Sequence, residues 1–282
     1  MNLSNATVLL TGATGGIGRA IAEQLLRNGA RVLLTSRDER KLRALREKLA
    51  VDPDRIGIVA ADLTLATDRQ ELSTYAMRWQ GGVNVLINNA GVSEFRRVDN
   101  LSGEQVMALI ETNLAAPLQL TRELLPHLRR QSSAHVLNIG SVYGSIGYPG
   151  FAIYCATKFG LRGFTEALRR ELADSSVRVH YLAPRATRTS MNSAATDAMN
   201  EQLHVAVDPP TKVARAVCRM LERNERERVI GWPEKLFVRI NALLPRLVDN
   251  SLRGQLPTIR RYADSPSSST AARSPEAERN PA

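Results

Sequence analysis

Short apolar runs alternate along this chain with longer stretches in which apolar residues return every three or four positions. The first run, residues 6–11, stops at a glycine-rich segment, and Ile17, Ile21, Leu25 and Leu26 then recur at helical spacing. A strand followed by a helix has that signature. The same alternation predicts further strands at 31–35, 56–60, 83–88, 135–140, 177–183 and 228–231, with helices over 38–50, 66–79, 102–130 and 152–173. Strands that are apolar throughout are buried on both faces, and the helices between them supply the cover. The expected fold class is therefore α/β, with a mostly parallel, doubly wound sheet. The polar punctuation agrees: Asp38 and Ser102 stand at helix N-cap positions and Gly29 at a C-terminal break.

The pattern changes after Gly231. Between 232 and 262, Trp232, Leu236, Phe237, Ile240, Leu243, Leu244, Leu247 and Val248 are interleaved with Lys235, Arg239, Arg246, Arg253, Arg260 and Arg261. This predicts an amphipathic helical extension interrupted near Pro245. Such a stripe either folds back over a pocket or a subunit boundary or, with cations beside it, lies in a membrane interface. Residues 263–282, rich in Ser, Pro, Ala and charge, are expected to be a disordered tail, which leaves 1–231 as one catalytic domain.

Composition narrows the classes. A hydrophobic share of 43% beside 23% charged residues is that of an ordinary globular chain. The net charge of +10 invites a nucleic-acid partner, yet the arginines interleave with acids, as in Glu39, Arg43 and Glu47, and no reader motif accompanies them, so none is expected. No apolar run approaches the ~20 residues that span a bilayer, and the N-terminus lacks a secretory pattern. A cytoplasmic protein is expected, any membrane contact being peripheral and through 232–262. Cys155 and Cys218 are too few for a disulfide framework and read as reduced thiols; no metal site is expected.

Candidate chemistry lies at three places. In Thr11-Gly12-Ala13-Thr14-Gly15-Gly16-Ile17-Gly18, the glycines Gly12, Gly16 and Gly18 fall where a strand turns into a helix. Their missing Cβ atoms let the backbone turn sharply and approach a pyrophosphate at the helix N-terminus. At the end of the second predicted strand, Arg37 can bind a ribose 2′-phosphate with Ser36 as hydroxyl partner, while Asp38 is better placed as a helix cap. That favours NADP(H) over NAD(H); the other reading has Asp38 reaching a free ribose 2′-OH. Further along, Tyr154 and Lys158 are four apart on one predicted helix face, and Ser141 ends a strand before them. Reducing a carbonyl with a nicotinamide needs a proton donor at the oxygen. A Tyr beside an ammonium that lowers its pKa suits that task.

In order and spacing, the glycine loop, Asn88-Asn89-Ala90-Gly91 and the Ser141, Tyr154, Lys158 set resemble the short-chain dehydrogenase/reductase family, in its compact single-domain branch, over about residues 5–231. The resemblance implies a Rossmann-like fold and a catalytic group of Tyr154 as acid/base, Lys158 as pKa modulator and ribose ligand, and Ser141 as substrate orienter. It implies that Asn113 holds a water for a proton relay. For the cofactor it implies contacts from Gly12, Thr14, Gly15, Gly16, Ile17 and Gly18, from Asp62 and Leu63 at the adenine, from Asn89, Ala90 and Gly91, and from Pro184, Thr187 and Thr189 at the nicotinamide end. Where the family has Pro-Gly this chain has Pro184-Arg185, and Arg185 is expected to point to water. Residues 191–207, with Met191, Met199 and Leu203, take the family's lid position and suggest a moderately apolar carbonyl or alcohol substrate, with lipid-like, steroid-like and acyl ketones all compatible. Leu109, Ile110, Leu114 and Leu118 would suit the helix-packed dimer common in relatives, so a homo-dimer or tetramer is expected. The expected activity is interconversion of a carbonyl and a secondary alcohol with NADP(H). Its rivals are an inactive nucleotide-sensing protein on the same fold and, less well matched in glycine spacing, a sugar epimerase.

Overall fold

A computed structural model describes residues 1–49 and 52–264. Seven strands form one parallel sheet: β1 (Thr7–Thr11), β2 (Arg31–Ser36), β3 (Ile56–Ala60), β4 (Val85–Asn88), β5 (Ala134–Ile139), β6 (Val177–Ala183) and β7 (Glu227–Val229), in the order β3-β2-β1-β4-β5-β6-β7. All seven lie where the apolar runs predict them, to within two residues at either end. The chain moves outward from β1 to β3, then returns to the other side of β1 to place β4, with Val8 opposite Val85 and Leu10 opposite Ile87. A crevice opens beyond the carboxyl ends of strands where the order reverses, and ligands of doubly wound sheets bind there.

Helices cover both faces. On one side α1 (Gly16–Arg27) packs beside α8 (Pro210–Arg223), burying Ile21, Leu25, Val213, Val217 and Leu221 with Val8, Leu10 and Val32 of the sheet. On the other, α3 (Ala66–Ala76), α5 (Ala116–Leu128) and α6 (Ala152–Glu171) bury Leu72, Leu120, Leu124 and Leu168 with Leu9, Leu86 and Val136. Alternate residues of one strand thus enter opposite layers. Asp38 caps α2 (Glu39–Leu49), its Oδ1 accepting from the Lys41 N–H at 3.1 Å, and Ser102 forms a reciprocal capping box with Gln105 ahead of α4 (Gly103–Ile110). Gly29, at φ +89°, ends α1 as expected. The long predicted helix 102–130 is continuous but not regular: a π turn, Glu111–Ala115, joins α4 to α5. Of the stripe expected to serve a dimer, Leu109 is buried core, while Ile110, Leu114 and Leu118 are half-buried.

The extension is a helical hairpin, α9 (Glu234–Leu243) and α10 (Pro245–Ala263), broken at the expected proline. Before it, residues 191–207 carry α7 (Ala194–Gln202). The hairpin does fold onto the domain, but of the stripe only Val248 and Ile240 take part, joined by Val238, Ile259 and Ala263 from outside it. Val238 and Val248 pack on Val142 and Ile146, and Ile259 and Ala263 on Phe95, Phe151 and Met199. Of that stripe, Trp232, Leu236, Phe237, Leu243, Leu244 and Leu247 stay exposed. Among the described residues no helix is long and apolar enough to cross a membrane. The tail expectation for 263–282 lies outside the described residues from position 265 on.

Candidate active site

The crevice beyond β1, β2 and β4 is a cleft of about 490 Å³. Of the expected cofactor contacts, Gly12, Thr14, Gly15, Gly16, Ile17, Gly18, Ser36, Arg37, Asp62, Leu63, Asn89, Ala90, Gly91, Tyr154, Lys158 and Thr189 line it. Pro184 and Thr187 do not. The Pro184 carbonyl accepts from the Val142 N–H at 3.0 Å, and the Thr187 hydroxyl donates to the Arg185 carbonyl at 2.9 Å.

The glycine loop is packed backbone against backbone. Gly12 sits at φ +63°, where a Cβ would stand 2.7 Å from Ala90 Cα, and a Cβ on Gly18 would stand 2.2 Å from the Gly12 carbonyl oxygen. Neither position has room for a side chain. Asn89 fastens this turn from the β4 side: its Nδ2 donates to the carbonyls of Thr11 at 2.9 Å and Gly12 at 3.2 Å. Helix α1 starts with Gly15 as N-cap, which offers no side-chain acceptor to the first-turn N–H groups. An N-terminus of that kind, at the floor of a cleft, suits a phosphate. At the β2 end, the Asp38 carboxyl is held below its ordinary pKa, chiefly by the Lys41 backbone hydrogen bond, as a working cap should be. Arg37 is exposed and makes no ion pair among the described residues. Lys41, which the motif reading passed over, also lines the cleft. Its signal was its place in the first turn of α2, four residues after Arg37.

At the other end, β5 delivers Ser141 and the first turns of α6 deliver Tyr154 and Lys158. The Ser141 side chain lies beside the Tyr154 phenol and favours its ionised form, and its Oγ accepts from the Tyr143 N–H at 3.1 Å. Lys158 is buried, its Nζ donating to the Ile139 carbonyl at 3.1 Å and lying 5.6 Å from the centroid of the Tyr154 ring. Burial pushes the Lys158 ammonium down to about 8. The Tyr154 phenol is not lowered as expected from this ammonium, because burial dominates and pushes it up to about 12, with Ser141 offsetting only part of the effect. Near neutral pH such a phenol keeps its proton.

Asn113 lies in the π turn, 1% exposed. Its Oδ1 accepts from the Val92 N–H at 2.8 Å, and its Nδ2 donates to the Val92 carbonyl at 2.8 Å and to Thr157 Oγ1 at 3.4 Å. Both ends of the amide are therefore engaged, strutting the loop after β4 against α6. Arg185 does not point to water. It makes a two-pronged pair with Asp208, Nε to Oδ2 at 3.0 Å and Nη2 to Oδ1 at 2.9 Å, and its Nη1 reaches Glu234 at 3.2 Å. Two carboxylates 23 and 49 residues away decide that, and a local reading does not see them.

Behind Tyr154 lies an aromatic cluster. Tyr143 stacks on Tyr148 with centroids 4.9 Å apart, and Phe95 on Phe151 at 4.8 Å. Met199 and Leu203 from the lid segment, and Ile259 and Tyr262 from α10, complete this cluster. The aromatics Tyr143, Tyr148 and Phe151 went unremarked in the sequence, although they crowd into nine residues just ahead of Tyr154.

Known proteins share this plan. A family profile described as short chain dehydrogenase matches residues 6–230. An uncharacterised oxidoreductase of Staphylococcus saprophyticus is 32% identical over 222 residues, 77% of this chain and 89% of that protein. A 3-oxoacyl-(acyl-carrier-protein) reductase of Haemophilus influenzae is 34% identical over 193 residues, 67% of this chain and 77% of that protein. In shape, a short-chain dehydrogenase/reductase of Burkholderia phymatum, solved in complex with NAD, matches with a TM-score of 0.79 over 88% of this chain and 96% of its own, at 23% identity. That last likeness is one of fold.

Proposed function

The chain belongs to the short-chain dehydrogenase/reductase family of oxidoreductases, and we propose that it reduces an apolar carbonyl to a secondary alcohol with NADPH, Tyr154 serving as the proton donor. The observation that carries this reading is Tyr154 at one end of the glycine-floored cleft, beside Ser141 and flanked by the buried Lys158. The fit of a dinucleotide rests on the glycine floor, which a Cβ would fill, and on Arg37, which has no ion pair among the described residues and is set to meet a 2′-phosphate while Asp38 is engaged as a cap.

When bound, the nicotinamide supplies a hydride to the carbonyl carbon. Ser141 and Tyr154 orient the substrate oxygen through their hydroxyls. Tyr154, raised to about 12, arrives protonated and gives that proton to the oxygen as negative charge develops there. The Lys158 ammonium beside the ring stabilises the phenolate that is left, which solvent reprotonates. Asn113 acts at one remove, holding the loop after β4 in place. Met191 of the lid segment, which lines the cleft, and the apolar and aromatic cluster packed behind Tyr154 favour an apolar acyl or cyclic ketone, a class that includes the 3-oxoacyl groups in the Haemophilus relative's name. For the homo-oligomer, exposed Met107 on α4 and Phe159 on α6 offer apolar contact area.

Tyr154→Phe tests the assignment. The ring still packs but the transferable proton is gone, so NADPH oxidation with a panel of ketones and 3-oxoacyl thioesters should slow by roughly 10²–10⁴. NADPH affinity, followed by its fluorescence, should hold. A variant that keeps most of its turnover overturns the role of Tyr154.

A further inference from the structure

The α9–α10 hairpin has two apolar faces, and only one is covered. Val238 faces the domain, with Ile240 packed at the edge of the same cluster, while Leu236 and Leu243 lead outward toward Leu244 and Leu247 at the hairpin apex. Of the twelve large apolar side chains exposed on the described surface, six lie between residues 232 and 247. Leu243 is 80% exposed and Trp232 70%, values of side chains on a projecting edge rather than in a groove. Scattered exposed apolar residues are ordinary, but a contiguous set is the mark of a surface that meets something.

Charge selects the partner. Lys235, Arg239, Arg246 and Arg253 are exposed on the hairpin and make no ion pair among the described residues. Asp249 is the one exposed acid among residues 232–253, because Glu234 is bound to Arg185. A second copy meeting this edge by its own edge would set like charges against each other. The 18 residues that follow Asp264 contain no large apolar side chain to lay over it. Apolar residues headed by Trp and flanked by cations are complementary to an anionic lipid surface, into whose headgroup region the ring and leucines can sink while Lys and Arg meet the phosphates.

We propose that the outer edge of this hairpin, Trp232 to Leu247 with the flanking cations, docks the protein peripherally on an anionic membrane surface. The inner face keeps the hairpin attached to the domain, so docking needs no refolding. The proposal stands apart from the catalytic reading, since none of these residues lines the cleft.

The test is sedimentation of the full chain with vesicles of phosphatidylcholine alone and of phosphatidylcholine mixed equally with phosphatidylglycerol, at low and high salt. Binding is expected to the mixed vesicles at low salt and to weaken as salt screens the cations. Replacing Leu243, Leu244 and Leu247 together by Ser should lower the partition coefficient on the order of tenfold or more. Lys235→Gln, Arg239→Gln and Arg246→Gln should each lower it roughly fivefold, and the three together should remove most of the preference for anionic lipid. The thermal midpoint of these variants should stay that of the unmodified protein, because the replaced side chains are exposed. A full chain that ignores the mixed vesicles at low salt overturns the proposal, as does a leucine variant that binds them undiminished. If the leucine variant instead loses self-association in light scattering with vesicle binding unchanged, the edge belongs to a second copy and the proposal also fails.

Discussion

The β1–α1 turn and the α9–α10 hairpin sit at opposite ends of the chain and are specified in opposite ways. The turn is defined by side chains that are missing: at Gly12 and Gly18 a single Cβ would come within 2.7 Å and 2.2 Å of neighbouring backbone. The hairpin is defined by side chains that find remote partners: Arg185 gathers Asp208 and Glu234, while Val238 and Val248 settle on Val142 and Ile146. A steric requirement for glycine is written at the position itself. A requirement for a partner is shared among positions far apart in the chain, so the turn can be read locally and the hairpin cannot.

Gly18→Val strikes the turn hardest. Its branched Cβ would overlap the Gly12 carbonyl, a backbone atom with little freedom to move. Overpacking of this sort costs about 1–3 kcal/mol or more, and here it also displaces the helix N-terminus from the cleft floor. The expected result is loss of measurable NADPH binding together with a lower thermal midpoint. A variant binding NADPH within a few-fold of the unmodified protein would show that the turn can yield, and the contrast with the hairpin would dissolve.

On the hairpin side, Arg185→Ala leaves Glu234 without its cation and Asp208 with Lys212 alone, which lies 2.9 Å from Oδ1. Hydrogen bonds to charged groups contribute about 1.5–3 kcal/mol each where they are shielded, and the Arg185 and Asp208 side chains are 13% and 7% exposed. A loss of roughly 2–3 kcal/mol in urea unfolding is expected, with protease cleavage appearing first between α8 and α9. Arg185→Lys, which cannot reproduce the two-pronged geometry, should recover only part. Unchanged stability in Arg185→Ala would mean that apolar contacts alone hold the hairpin.

Arg37→Ala sharpens the comparison from within the cofactor region, since it is a side-chain determinant beside a turn made of backbone. Being exposed and without an ion pair among the described residues, it should leave the thermal midpoint unchanged. The ratio of kcat/KM with NADPH to that with NADH should fall by about 10- to 100-fold, the worth of one charge-assisted contact. Equal kcat/KM for both cofactors in the unmodified protein would remove the premise.

Much of this protein was decided by local sequence. Seven apolar runs became seven parallel strands, because a segment apolar on both faces has few places to be other than the middle of a covered sheet. Gly12, Gly18 and Asn89 fell around one turn, and Ser141, Tyr154 and Lys158 fell together, because each lies at a strand end or on one helix face within a turn of its neighbour. Tertiary structure decided the rest. It sent Arg185 to two acids instead of water, and it turned Val238 inward and Leu236 outward although both are apolar. It also raised the Tyr154 phenol where the adjacent lysine pointed to a lowered one. Each outcome is a competition between a local preference and burial or pairing with groups distant in sequence, and the energies of burial and pairing exist only once the chain has closed around them.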